Sequence, residues 1–369
     1  MQPLKGLKVV AIEQAVAAPF ASCRLADAGA EVIKIERPEG DFARGYDDVA
    51  NGQSSYFVWL NRGKTSVTLD LASDAGKAEL AALLEEADVL LQNLKVGALA
   101  RLGFGVDRLR RDYPRLITCS ISGYGEAGPM ADRKAYDLLI QAESGLCSIT
   151  GGPSEAARVG ISIVDIATGV TAYSAMLEAL IQRGITGQGT AISVSMFDVL
   201  ADWLTVPLLN HQGGKSPRRM GMAHPSIAPY GVFTAGDGAQ VLLAVQSDRE
   251  WRMLCEGFMS RPELGTDPRY ARNVDRVANR AEVDDAVAQG FATRTKAEAI
   301  AALEAVNVAF ASVNDMQGLS EHPHLRRVTV DTPNGPVSYP APAALFDGAA
   351  RSFGAVPALA PIKDTQDER

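Results

Sequence analysis

Apolar residues in the first half of the chain fall into short runs separated by stretches with helical spacing. The runs LKVVAIE (7–13), EVIKIER (31–37), TSVTLDL (65–71), DVLLQN (88–93) and RLITCSIS (115–122) predict buried strands. Between them, PFASCRLADAGA (19–30), with Pro19 near its start, and DAGKAELAALLEEA (74–87) predict helices. Strands alternating with helices imply right-handed βαβ units and a mostly parallel sheet. Helices are predicted over 137–147 and 166–184, with a further strand in GTAISVSM (189–196).

From about residue 212 the pattern changes. QGGKSPRR reads as a linker, and YGVFTAGDGAQVLLAV (230–245) as two strands joined by a turn around Gly236-Asp237-Gly238. REWRMLCEGF reads as a helix. Two more helices follow, opened by Asn279 with Glu282 and by Thr295 with Glu298, each spaced as a capping box. The tail from about 330 is Pro-rich and extended. The expected division is a large α/β domain over 1–211, a small α+β domain over 212–325 and a C-terminal segment over 326–369.

Composition narrows the function class. The chain has 369 residues, enough for two domains, with 47% hydrophobic and 22% charged residues, a soluble globular profile. A net charge of −8 argues against a general nucleic-acid surface but leaves room for a local basic site. The N-terminus lacks a signal-peptide core, and no stretch approaches the ~20 apolar residues of a membrane helix. Cys23, Cys119, Cys147 and Cys255 form no CxxC pair, so a reducing cytoplasm is expected and a zinc knuckle is not.

Several short patterns lead nowhere. GYGEAG (123–128) follows a strand, but Pro129 and ADRK replace the helix that dinucleotide binding needs, so a Gly-rich turn is the better reading. GGKS (213–216) has Leu209 where a P-loop needs glycine, and His211, His224, His322 and His324 lack partners for a metal.

One acid stands out. In RVGISIVDIATGV (158–170), Asp165 sits among Val159, Ile161, Ile163, Val164 and Ile166. A helix begins directly after it, so Asp165 reads equally as an N-cap or as a catalyst. The two are compatible, since backbone N–H groups would keep a partly desolvated carboxylate ionised and able to act as a nucleophile. Arg37, Arg44, Arg62, Lys64, Lys95, Arg101 and Lys134 punctuate predicted strand ends, where ligands of α/β sheets bind. Together they would suit a polyanion; singly, each reads as solvated surface charge.

Ordered motifs over about residues 4 to 330 resemble the class III CoA transferases, the family of formyl-CoA transferase, carnitine CoA transferase and α-methylacyl-CoA racemase. They are LKGLKVVAIEQAVAAPFASCRLADAGAEVIKIERPEGDFAR, NRGKTSVTLDL, ADVLLQNLKVGALARLGFG, YPRLITCSISGYGEAGP, KAYDLLIQAESG and HPSIAPYGVFTAGDG. The resemblance implies a Rossmann-like large domain, a smaller domain, a C-terminal return to the large one, and an interlocked homodimer. It makes Asp165 the catalytic aspartate. It places Val16, Ala17, Arg37, Leu69, Ala72, Asn93, Leu94, Arg101, Lys134 and Tyr136 at the CoA site, with Leu94 replacing the family's Phe. Gly221 and His224 fall in the segment that would close over substrate, and the nearby Arg218 and Arg219 either pair with a distal carboxylate or belong to the linker surface.

The implied partners are an acyl-CoA and a free carboxylic acid, expected to be a small C4–C5 dicarboxylate. No metal or redox cofactor, nucleic acid or membrane is expected. The racemases of the family use His in a GHD context; here the segment is AYD, with Tyr136 in that place, which favours transfer. Outside the family, an NAD-dependent oxidoreductase or a non-catalytic CoA-binding protein would be the competing readings.

Overall fold

The fold, seen in a computed structural model that describes residues 2–361, is mixed α/β. Six parallel strands form its main sheet: β1 (Lys8–Ile12), β2 (Glu31–Glu36), β3 (Lys64–Thr68), β4 (Val89–Gln92), β5 (Ile117–Ser122) and β6 (Ala191–Ser195). Their spatial order is β3-β2-β1-β4-β5-β6. Strand order therefore reverses beside β1, which pairs with β2 through Val10 and Ile33 and with β4 through Val10 and Leu90. Such a switch point opens a crevice beyond the carboxyl ends of the strands.

The helices of this part are α1 (Ala17–Asp27), α2 (Ser55–Asn61), α3 (Asp74–Glu85), α4 (Ala98–Arg101), α5 (Val106–Asp112), α6 (Asp137–Glu143), α7 (Leu146–Ile149), α8 (Ile163–Thr186), α9 (Met196–Trp203) and α10 (Thr205–Gln212). Alternate strand residues feed opposite cores, as the pleat demands. Val9, Ala11, Val32, Leu91 and Cys119 pack with α1 and α8, while Val10, Ile12, Ile33, Ile35 and Leu90 pack with α3 and α5. Both faces are covered, which is why the strands read as nearly continuous apolar runs.

At 24 residues, α8 is by length and composition apolar enough to cross a membrane, contrary to the sequence expectation that no stretch comes near. Val164, Ala167, Thr168, Ala172, Met176 and Ala179 are buried along one face of it. Gly169 permits a close approach to α1, since a Cβ there would lie 2.7 Å from the Ala17 carbonyl oxygen.

By contacts the chain divides into two units. One takes the residues through Leu146, Arg158–Leu209 and those from Arg326 onward; the other takes Cys147–Ala157 and Asn210–Leu325. Residues 147–157 join the second unit because Arg219 donates to the carbonyls of Gly152 and Ser148, both at 3.1 Å, and Gly221 N–H to Gly151 at 2.9 Å. In the first unit, β10 (Arg327–Val330) and β11 (Val337–Pro340) form an antiparallel hairpin. Val330 and Val356 pack against Ala50, Phe57 and Val58, and Thr68 Oγ1 donates to the Ala360 carbonyl.

The second unit holds an antiparallel sheet of β7 (Tyr230–Thr234), β8 (Gln240–Ala244) and β9 (Ala309–Ser312). Its core is built on Trp251, Phe258, Val287, Phe291 and Leu303. Thr295 and Glu298 form the expected capping box. Asn279 does not cap its helix: its side-chain amide donates instead to the Arg269 and Asp275 carbonyls, and Glu282 turns to Tyr270.

Three of the strand-end cations are interior braces, neither surface charge nor anion ligands. Arg62 is buried and donates to Asp27 at 2.9 Å. Lys64 Nζ lies 2.6 Å from Glu13, and Arg44 Nε donates to Glu36 at 2.9 Å. Burial alone would raise the Glu36 carboxyl, but hydrogen bonds from Arg44 and Ser66 outweigh it and bring it down to about 2. Removing one member of a buried pair strands the other charge. Arg62→Met is therefore expected to lower stability by about 3–5 kcal/mol in urea unfolding, and Asp27→Asn added to it should recover part of that loss.

Candidate active site

The site is built where α8 begins. Its N-terminal N–H groups need acceptors. Of the two readings of Asp165, N-cap or catalyst, the first does not hold: it lies inside the first turn, and the N-cap, Ser162, makes no side-chain bond. The acceptor comes from α6. Asp137 Oδ1 takes the N–H of Val164 at 2.7 Å and of Asp165 at 3.3 Å. Asp137 Oδ2 accepts from the buried Gln141 amide at 2.6 Å, and Gln141 Oε1 accepts Val159 N–H at 2.9 Å. Two side chains one turn apart on α6 thus fasten both ends of the segment entering α8.

The Asp165 carboxylate itself accepts no hydrogen bond among the described residues. It is half-buried, with the next residue, Ile166, packed on a cluster of Val16, Phe20 and Leu60 with Ala15, Tyr56 and Trp59. Burial and the neighbouring Asp137 charge push its pKa up to about 7. That reverses the expectation of an acid kept ionised by backbone donors, because those donors are spent on Asp137. Tyr46 stacks edge-on to Tyr56 with centroids 5.5 Å apart. Burial raises the Tyr46 phenol to about 12, with Asp41, Asp165, Tyr136 and Tyr56 adding to it. The surroundings of Asp165 are therefore apolar, aromatic and acidic, and they favour its neutral form.

The loop after β1 shapes the adjoining crevice. Ala15 adopts φ 64°, a left-handed conformation costly for a residue with a Cβ. Neighbouring side chains hold it there: Asp41 Oδ1 accepts Ala15 N–H at 3.2 Å, while Asn93 accepts Gln14 N–H at 3.0 Å and donates to the Gln14 carbonyl at 2.8 Å. Beside this loop, at the switch point, lies a cavity of about 140 Å³ lined by Ile12, Gln14, Arg37, Leu69, Asp70 and Leu94, among others.

The structure thus brings Arg37, Leu69 and Leu94 together. Val16 and Ala17 are buried at the start of α1, beside α8. Asn93 is spent largely on bracing the loop. Ala72 is exposed, its N–H on Asp70. Tyr136 is exposed and immediately precedes Asp137 as the N-cap of α6. Arg37 uses Nε on the Gly40 carbonyl at 3.0 Å; its other guanidinium nitrogens, and the cations of Arg101 and Lys134, meet no acceptor among the described residues. Lys95 pairs loosely with Asp132 at 3.8 Å.

Gly221 and His224 belong to the second unit. His224 stacks on Tyr230 with centroids 5.2 Å apart, and its Nδ1 accepts Ser226 N–H at 3.1 Å, which makes it a turn-forming residue there. Arg219 is committed to carbonyls and Arg218 is exposed.

A larger cavity of about 330 Å³, over β4 to β6, is lined by Gln92, Thr118, Ser120 and Ser193 on one side and Phe104 and Leu109 on the other. It holds one ionisable group, Glu126, and no cation. The smaller crevice has the braced loop and one cation, Arg37, beside Glu13, Glu36, Asp41 and Asp70; the first three of these acids are already paired with Lys64, Arg44 and Lys34. Gly125 and Gly128 take positive φ and no helix opens after them, which leaves GYGEAG as a turn.

A model of CoA-transferase family III matches residues 4–361. The chain is 35% identical over 349 residues to the succinate–glutarate CoA-transferase of Agrobacterium fabrum, spanning 91% of this chain and 87% of that one. It is 40% identical over 281 residues to the acetyl-CoA:oxalate CoA-transferase of Acetobacter aceti, spanning 75% and 72%. Its fold is similar to the crystal structure of a CAIB/BAIF family protein from Brucella suis, with a TM-score of 0.80 and 35% identity over 96% and 95% of the two chains.

Proposed function

The chain belongs to CoA-transferase family III, and from that premise we propose that this CoA transferase moves CoA from an acyl-CoA to a small dicarboxylic acid with Asp165 as nucleophile. The observation that carries the reading is an apolar-walled carboxylate with unengaged oxygens at the start of α8, near the crevice at the switch point. The dicarboxylate preference is supported by relatives named for succinate, glutarate and oxalate.

In the proposed cycle, an Asp165 oxygen attacks the thioester carbonyl. A mixed anhydride forms and CoA leaves as thiolate. The thiolate then attacks the aspartyl carbonyl, giving an Asp165–CoA thioester and releasing the donor's free acid. An acceptor carboxylate attacks that thioester, re-forming an anhydride and freeing the thiolate. Attack of the thiolate on the acceptor's acyl carbon yields the new acyl-CoA and restores the Asp165 carboxylate. Each step exchanges one acyl bond for another, so no metal or redox cofactor is required. The covalent route divides an exchange with a poorly reactive carboxylate into easier steps.

CoA is assigned to the crevice lined by Arg37, Leu69 and Leu94, with Val16, Ala17, Ala72, Asn93 and Tyr136 as its further contacts and Arg37, Arg101 and Lys134 for its phosphates. A homodimer accords with the exposed apolar side chains of α8 to α10, among them Ile181, Ile185, Trp203, Val206 and Leu209. We place the reaction in the cytoplasm.

Mass spectrometry of the enzyme and of products from a panel of acyl-CoAs and free acids tests the reading. With succinyl-CoA and glutarate, glutaryl-CoA should form, and peptide mapping after a quench should find Asp165 carrying CoA. Incubation in deuterium oxide should leave the carbon beside the thioester unlabelled. Labelling there, with no exchange between acids, would mean racemase chemistry instead.

A further inference from the structure

We infer that Asp137 is the positioning residue for Asp165, occupying the helix-terminal N–H groups so that the nucleophile's own oxygens stay free. The inference rests on the reading of Asp165 as nucleophile and adds how it is kept reactive. An acid in the first turn of a helix ordinarily captures backbone N–H groups, which lowers its nucleophilicity along with its basicity. Here the N–H groups of Val164 and Asp165 both point to Asp137 Oδ1, at 2.7 and 3.3 Å. Asp137 cannot swing away, because its second oxygen is held by Gln141 at 2.6 Å and Gln141 is fully buried. Gln141 in turn takes Val159 N–H at 2.9 Å, fixing the far end of the same segment.

The arrangement does two things at once. It aims the start of α8, and it sets a second negative charge beside Asp165. The charged group that acts on Asp165 is Asp137 from α6, and Tyr46, from the segment after β2, feels the Asp165 charge in turn. Asp137 is thus both hydrogen-bonded to the Asp165 backbone and raises its proton affinity.

Two substitutions separate the roles. Asp137→Asn keeps an oxygen for both N–H groups but removes the charge and the Gln141 bond. The low-pH limb of kcat/KM should move down by about one pH unit, with kcat falling about threefold to tenfold. Asp137→Ala frees the N–H groups for the Asp165 carboxylate. Its kcat should fall about 100-fold while KM for the acyl-CoA stays within about threefold, with circular dichroism confirming a folded chain.

Asp165→Asn is run beside them. If it keeps transferring CoA, the nucleophile reading fails and this inference with it. If it is inactive but both Asp137 variants show the wild-type pH limb and kcat, the nucleophile stands and the positioning role of Asp137 is overturned. A loss in Asp137→Ala that appears wholly in KM also overturns it.

Discussion

Replacing Asp165 with asparagine is expected to slow CoA transfer by about 10⁴-fold or more, the scale seen when a covalent nucleophile is lost. Asparagine has the same shape, so the α8 start and its bonds to Asp137 should persist. Its amide cannot form the anhydride, and the neighbouring carboxylate is engaged: Asp137 is tied to two N–H groups and to Gln141. Binding should be nearly unaffected, because Arg37, Leu69 and Leu94, assigned to CoA, line a crevice that Asp165 does not. The measurement is a kcat/KM for succinyl-CoA with glutarate, beside a dissociation constant for CoA from calorimetry. Loss of transfer with CoA binding retained within about threefold is the expected pair of results. Transfer within tenfold of wild type would end the assignment.

Most of the fold could be read from the apolar runs, because a sheet covered on both faces leaves its signature in consecutive residues such as Val9, Val10, Ala11 and Ile12. Asp165 was visible for the same reason, as an acid in an apolar stretch. Its partner was hidden. Asp137 and Val164 are 27 residues apart and meet only because α6 packs beside α8, a tertiary fact with no local pattern. The same distance effect misled the reading of the cations. Arg62 and Lys64 stand at the amino end of β3, whereas Arg37 follows the carboxyl end of β2, and the first two each close a buried pair with an acid 35 or 51 residues away. Residues 147–157 offered no signal of joining the second unit, since the ties named above are the Arg219 side chain capping their carbonyls and the Gly221 N–H on Gly151, neither of which has a local pattern. Local propensity also overstated Asn279: its spacing to Glu282 fits a capping box, but tertiary carbonyls compete for its amide.

The pH profile follows from the same environment. In the proposed cycle transfer needs the Asp165 carboxylate, and burial together with Asp137 pushes its pKa up to about 7. Below that value the free enzyme is mostly protonated at Asp165, so kcat/KM should approach a fall of about tenfold per pH unit, roughly 50-fold between pH 7 and pH 5. Stability should run the opposite way. An unfolded Asp titrates near ~3.9, so between about 4 and 7 the folded chain binds the extra proton, and stability declines as pH rises through that window. At pH 8 the folded chain carries a charge that its surroundings disfavour; at pH 4 it does not. Asp165→Asn, which has no charge to bury, should therefore be more stable than wild type by about 1–2 kcal/mol at pH 8, allowing for water reaching a half-buried group, and nearly equal at pH 4. Urea midpoints at both pH values decide the matter. Equal stability at pH 8, or a kcat/KM flat down to pH 5, would mean that Asp165 titrates as an ordinary surface acid and that its neighbours do not poise it.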